Sequence, residues 1–281
     1  MTVRTVAVDD GHLEIDDRGS GEPILFVQTA LTADHLAPLA SQPALDSNHR
    51  RLLYHRRGYA GSSPAGGTPS IVSDAADARE LLGALGIERA HVVGASFSAA
   101  IALQLAADAP EHVQSLVLME APPVHTSHAP AFRDASEELL RIRREHGVDA
   151  ALDVFLERLV GPDWRSRMEA DLPGAVVQIE RDAATFFDHD TPALLEWHFG
   201  PADAGRIRCP VLYLGGSDSG PWFAEIRELL LRHWLPHAEG EVIAGAGHSV
   251  ALTHPLEVAE VVRAFLRRHP IDPQADALQQ A

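Results

Sequence analysis

The sequence predicts an α/β fold: a mostly parallel eight-stranded sheet with helices on both faces and a helical cap inserted in its second half. Three observations lead there. Short runs rich in Val, Leu and Ile, bounded by Gly or Pro, alternate along the chain with stretches of helical periodicity. The first two runs flank Asp9-Asp10-Gly11, a hairpin turn signal. The alternation then lapses between about His125 and Arg206, where one helical pattern follows another without a strand.

The elements follow in order. Val3–Val8 and His12–Asp17 alternate polar and apolar residues and form the opening hairpin. Ile24–Gln28, Arg51–His55, His91–Ala95, Val113–Met119, Val211–Gly215 and Glu241–Ala244 are short apolar runs of the kind buried on both faces of a parallel sheet. Helices are expected at Ala33–Leu45, Ser73–Leu85, Phe97–Ala109, Trp222–Trp234 and Ala251–Arg267. The last aligns Leu252, Leu256, Ala259, Val262 and Leu266 on one face. Within the block, Phe132–His146, Asp149–Leu159, Trp164–Ala170, Ala175–Phe187 and Pro192–Phe199 read as helices. The expected organisation is a core of residues 1–124 and 207–270, a helical cap or lid over 125–206, and a flexible tail, 271–281, too polar to pack.

Composition removes several classes of chemistry. The 281 residues include 23 Lys+Arg and 40 Asp+Glu, a net charge of −17. None of the basic residues is lysine, which excludes Schiff-base catalysis and a P-loop. The single cysteine, Cys209, can form neither an internal disulfide nor a Cys-rich zinc site, so a reducing compartment fits. The acidic excess argues against nucleic acid or an anionic membrane as partner. The N-terminus has neither signal-peptide nor anchor character, and no apolar run approaches the ~18 residues of a membrane helix. The expectation is a bacterial, cytoplasmic protein acting on a small molecule, with no cofactor and no metal. Its oligomeric state is open, a homodimer included.

The passage that carries chemistry is His91-Val92-Val93-Gly94-Ala95-Ser96-Phe97-Ser98. A buried strand runs through Gly-Ala-Ser-Phe-Ser directly into a helix. Holding a serine Oγ out of so sharp a turn requires strained dihedrals at the serine and small residues two before and two after it. Gly94 and Ser98 meet that demand, Ser98 standing where a second glycine is usual. The helix from Phe97 aims the positive end of its dipole at the same point.

At this motif the chain resembles the α/β-hydrolase superfamily, over about residues 10–269. The likeness extends to Pro23-Ile-Leu-Phe-Val-Gln-Thr-Ala30, Tyr54-His-Arg-Arg-Gly-Tyr-Ala-Gly-Ser62, Leu214-Gly-Gly-Ser-Asp218 and Gly245-Ala-Gly-His248. The resemblance implies Ser96 as nucleophile and His248 as base. For the acid it offers Asp218, after the strand Val211–Gly215, and alternatively Glu120, after Val113–Met119; position favours Asp218. The oxyanion hole would use the Phe97 N–H and, from the loop after Ile24–Gln28, that of Ala30. Gln28-Thr29 replaces the family's common His-Gly pair, so either the loop is rebuilt around a particular substrate or catalysis is weakened. His55 stands where aspartate is frequent, so its bracing contact differs.

Gln28, Thr29 and Trp197 are expected to touch substrate. Trp164, Phe186, Phe187 and Phe199 either line an acyl pocket or form the cap's core. His125 and His128 read as a hinge into the cap, and Arg141–Arg144 as a solvated helix face. The implied activity is that of a serine carboxylesterase cleaving an ester, thioester or lactone of a small to medium apolar substrate. Alternatives are C–C bond hydrolysis on the same triad and a non-hydrolytic ligand-binding or biosynthetic member, a cyclase or lyase. A serine at the elbow argues against the carboxylate-nucleophile chemistry of epoxide hydrolases and haloalkane dehalogenases.

Overall fold

The computed structural model describes residues 3–46 and 48–271, so all of the expected tail beyond Ile271 lies outside the described residues. The strands are β1 Val3–Val8, β2 Gly11–Gly19, β3 Glu22–Val27, β4 His49–Tyr54, β5 Ala90–Ala95, β6 Val113–Met119, β7 Val211–Gly216 and β8 Glu239–Ile243. They form one eight-stranded sheet in the order β1-β2-β4-β3-β5-β6-β7-β8. β2 pairs antiparallel with β1 and β4, and every other pairing is parallel.

The period-2 alternation of each strand divides the core between the two faces. In β3, Leu25 and Val27 enter one apolar cluster and Ile24 and Phe26 the other; in β5, Val92 and Val93 separate in the same way. Helices α1 Ala37–Ala40, α2 Ile71–Ala84 and α3 Phe97–Asp108 follow the strands of the first half. Ser70 caps α2 by accepting the Val72 N–H at 3.1 Å, a contact that contributes about 1 kcal/mol. Helix α3 is buried on every side from Phe97 to Ala107, which its alanines permit by letting neighbouring backbones come close.

Between β6 and β7 the chain is helical: α4 Ala129–His146, α5 Val148–Leu159, α6 Trp164–Asp171, α7 Ala175–Thr185, α8 Thr191–Leu195 and α9 Pro201–Ala204. A π-turn, Phe186–Asp190, joins α7 to α8 without a break. This insertion has its own apolar cluster, in which Leu139, Leu152, Trp164, Ile179 and Phe187 are buried. After β7 come α10 Pro221–Leu229, α11 Val250–Thr253 and α12 Pro255–Leu266. Among the described residues no helix is long and apolar enough to cross a membrane.

Two expected helices are divided, both by proline. Ala33–Leu45 yields only α1 and a 3₁₀ turn at Pro43–Leu45, because Gln42 before Pro43 is held extended at ψ 135°. Ala251–Arg267 divides into α11 and α12 at His254, which precedes Pro255 and takes φ −129°, ψ 48°. The exposed edge strand β8 carries Glu239 and Glu241, charges that discourage pairing with another sheet.

Candidate active site

Parallel strands deliver their loops to one sheet edge, and the site forms at the carboxyl ends of β3, β5, β6 and β8. Ser96 follows β5 at φ 51°, ψ −121°, a strained conformation fixed by its N–H bonding Met119 O at 2.8 Å. A Cβ on Gly94 would lie 2.4 Å from Ser98 O, so only glycine lets the helix start so close to the strand. Ser98 occupies the second small position and adds a tie. Its Oγ accepts the Ala95 N–H at 2.9 Å and donates to Ala95 O at 3.0 Å.

The turn places Ser96 Oγ 3.0 Å from His248 Nε2. The other ring nitrogen, Nδ1, lies 3.6 Å from Glu120 Oε2; both atoms are buried and neither has a hydrogen-bond partner among the described residues. Glu120 is held for this approach, since its Oε1 accepts the Gly216 N–H at 2.6 Å and Ser219 Oγ–H at 2.9 Å. Gly216 is required there because a Cβ would stand 2.2 Å from Ala246 O. Like Ser96, Glu120 has a positive φ, 49°. The ring of Phe223 stacks on His248 at 4.2 Å. Nearby, burial and then the repulsion of His248 push the His35 imidazole down to about 4, so it is neutral at neutral pH.

Asp218 is not beside His248, which corrects the favoured expectation. It is exposed, its Oδ1 accepts from Ser217 Oγ at 2.7 Å, and its N–H donates to Ala246 O at 2.9 Å. Those are turn contacts bracing the loop that carries His248. The amides of Phe97 and Ala30 have no acceptor among the described residues and border the same cavity as Ser96.

That cavity, of about 440 Å³, runs from Ser96 and Thr29 into the insertion, where Leu139, Phe155, Met168 and Phe186 give it an apolar wall. Gln28 and Trp197 do not line it, a second correction. Gln28 is fully buried with its Oε1 accepting the Arg56 N–H at 2.7 Å. Trp197 turns to a separate cavity of about 550 Å³ that also touches His125 and Phe199. Its indole N–H donates to Gln104 Oε1 at 2.9 Å, across the face of α3. Trp164 and Phe187 belong to the insertion's core.

Beneath the cavity lies a cluster whose members are too far apart along the chain for any sequence pattern to join them. Arg56, 2% exposed, donates to Asp190 Oδ1 and Oδ2 at 3.0 and 2.7 Å and to Asp74 Oδ2 at 3.2 Å. Its Nε donates to Gln28 O at 3.0 Å, and its guanidinium lies 4.5 Å from the Phe97 ring. Tyr59 Oη donates to Asp190 Oδ2 at 2.5 Å. Burial raises the Asp190 carboxyl above its ordinary value, against the pull of Arg56. Asp74, His189 and Asp190 bring ligand atoms within 4.8 Å of one another, a spacing open to a metal ion. The Arg56 guanidinium already supplies the positive charge to both carboxylates.

His55 braces the loop after β3 differently from an aspartate. Nδ1 meets Glu14 Oε1 at 2.8 Å and Nε2 meets Asp34 Oδ1 at 3.0 Å, so a doubly protonated ring satisfies both acids. Burial opposes that charge, but the Asp34 hydrogen bond and the two carboxylates outweigh it and raise the pKa. A raised folded pKa stabilises fully below the unfolded value near 6.5 and is lost as pH rises through the folded one. Tm should therefore fall from about pH 6.5 upward by a component of roughly 2–4 °C that His55→Gln lacks. Thermal melts across pH 6–9 measure it, and identical profiles would remove His55 from the account.

Comparison with known proteins extends these observations. A family model described as alpha/beta hydrolase fold matches residues 23–255. Homoserine O-acetyltransferase of Deinococcus radiodurans is 32% identical over 206 residues, 67% of this chain; the chain spans 61% of that protein's length. 2-Hydroxymuconate semialdehyde hydrolase of Pseudomonas putida is 28% identical over 276 residues, 94% of this chain and 92% of that one. A thermophilic esterase from Thermogutta terrifontis superposes with a TM-score of 0.80 over 96% of this chain and 100% of its own, at 19% identity, a likeness of fold.

Proposed function

Because the chain belongs to the α/β-hydrolase family, we propose that it is a serine hydrolase in which Ser96, His248 and Glu120 form the triad. Its substrates would be esters, thioesters or lactones with a small to medium apolar acyl part. The observation that carries this reading is the line Ser96 Oγ, His248 Nε2, His248 Nδ1, Glu120 Oε2, with steps of 3.0 and 3.6 Å across the ring. The second step is longer than a hydrogen bond, as catalytic contacts often are without substrate.

Each step follows from that placement. Ser96 Oγ attacks the carbonyl carbon as His248 Nε2 takes its proton, and Glu120 stabilises the imidazolium through Nδ1–H. The Phe97 and Ala30 amides receive the oxyanion. His248 returns the proton to the leaving oxygen or sulfur, leaving an acyl-enzyme that water, deprotonated by the same ring, hydrolyses. The helical insertion acts as a cap whose apolar wall holds the acyl chain out of water, and a cavity of about 440 Å³ suits a substrate of modest size.

A fluorophosphonate should label the wild-type protein and not Ser96→Ala, and short p-nitrophenyl esters should turn over only in the former. A wild-type protein that neither labels nor turns over would overturn the proposal. The likeness to the 2-hydroxymuconate semialdehyde hydrolase over 94% of the chain favours C–C bond cleavage as a second reading. Turnover of that semialdehyde without turnover of esters would select it.

A further inference from the structure

The rebuilt loop after β3 is held from outside the sheet. Leu31 takes φ 67°, a left-handed conformation that a leucine reaches only when its surroundings impose it. The insertion supplies most of what imposes it. Gln178, on α7, spans the loop with one side-chain amide: its Nε2 donates to Leu31 O at 3.0 Å and its Oε1 accepts the Ala33 N–H at 2.9 Å. The Leu31 N–H donates to Tyr59 Oη at 3.0 Å, and that hydroxyl donates in turn to Asp190 in the π-turn. The Leu31 side chain, 3% exposed, is a member of the insertion's own apolar cluster with Leu139, Ile179 and Phe186. On the sheet side, Thr29 Oγ1 donates to Ala95 O at 2.8 Å. Ala30 lies between these two anchors.

We propose that Gln178 and Asp190, the latter through Tyr59, are positioning residues that set the Ala30 amide for the oxyanion, so that the hole is complete only with the insertion docked. The proposal rests on the serine-hydrolase reading above. None of the three side chains needs to touch the reacting atoms. They act by fixing the peptide that follows Ala30, the task that glycine dihedrals and local hydrogen bonds perform in a loop that is free of neighbours. The arrangement also accounts for Gln28-Thr29 at this site. A loop pinned by Thr29 on one side and by Gln178 and Tyr59 on the other does not need glycine's freedom.

The test uses Gln178→Met, which keeps volume and loses both hydrogen bonds to the loop together with one to Asp182 Oδ2 on its own helix, on the 281-residue protein with p-nitrophenyl butyrate. A misplaced oxyanion donor should lower kcat about ten- to hundredfold while KM stays within about threefold. The affinity for a trifluoromethyl ketone should fall by the same factor, since Ser96 Oγ adds to its carbonyl carbon, His248 takes the proton, and the resulting hemiketal oxyanion mimics the tetrahedral intermediate. Tyr59→Phe supplies a second variant should the first fail to fold, and is expected to show the same split. If either folded variant loses melting temperature but keeps wild-type kcat and ketone affinity, the residues are merely structural and the proposal is overturned. That result is distinct from an inactive, unlabelled wild type, which removes the serine-hydrolase reading and this proposal with it.

Discussion

Glu120→Gln is expected to lower kcat on short esters by about 10⁴ and leave the fold intact. The amide can keep its oxygen toward the donors at Gly216 N and Ser219 Oγ, which hold Oε1 at 2.6 and 2.9 Å. It must then offer N–H to His248 Nδ1, which forces that nitrogen to be the acceptor and puts the ring proton on Nε2, facing Ser96. A base already protonated at Nε2 cannot take the serine proton. Asp218→Asn should stay within about twofold of wild type, because an exposed carboxylate engaged in its own turn is a surface group. Steady-state kinetics of the two variants decides the matter, and the reverse order of effects would reassign the acid to Asp218.

Arg56→Met is expected to cost about 3–5 kcal/mol of stability and lower Tm by roughly 10 °C. The substitution strands Asp190, which is fully buried and takes both of its Arg56 bonds through that one guanidinium. Adding Asp190→Leu should recover much of the loss, since apolar packing replaces a buried ion pair at little cost whereas half a pair is costly. The pH dependence has a definite sign. An unpaired Asp190 has a folded pKa above its unfolded value, so the folded state holds the extra proton and stability falls as pH rises. The deficit of Arg56→Met should be smallest near pH 4 and grow toward neutrality. Urea unfolding at several pH values measures it, and a pH-independent deficit would show that Asp190 is not its source.

The parts legible in the sequence were those written locally. A strand's alternation, as in Ile24–Val27, and the Gly94-x-Ser96-x-Ser98 turn are complete within a few residues, so the sheet and the family resemblance could be read from them, and the resemblance in turn implied the meeting of Ser96 with His248. The proline breaks at Pro43 and Pro255 were equally local, and the apolar periodicity running past them hid their effect. What resisted reading depends on direction. Asp218 and Glu120 each follow a strand at the same sheet edge, and only the way a carboxylate turns separates them. Trp197 lies on the insertion as expected, yet faces another cavity. Arg56, Tyr59 and Asp190 are up to 134 positions apart, and Phe223 lies in a helix the sequence predicts but whose direction toward His248 it does not, so nothing short of the fold joins them to the site.

The membership of Leu31 in the insertion's apolar cluster bears on how such proteins can be recombined. A graft that exchanges residues 125–206 for the equivalent segment of a relative cuts the chain at the natural seam of its secondary structure but through the middle of a packing unit. The loop at 28–33 stays behind, shaped for a partner that has left. Chimeras built on this scaffold should therefore carry residues 28–33 together with the helices, as one inherited module made of two separated stretches of chain.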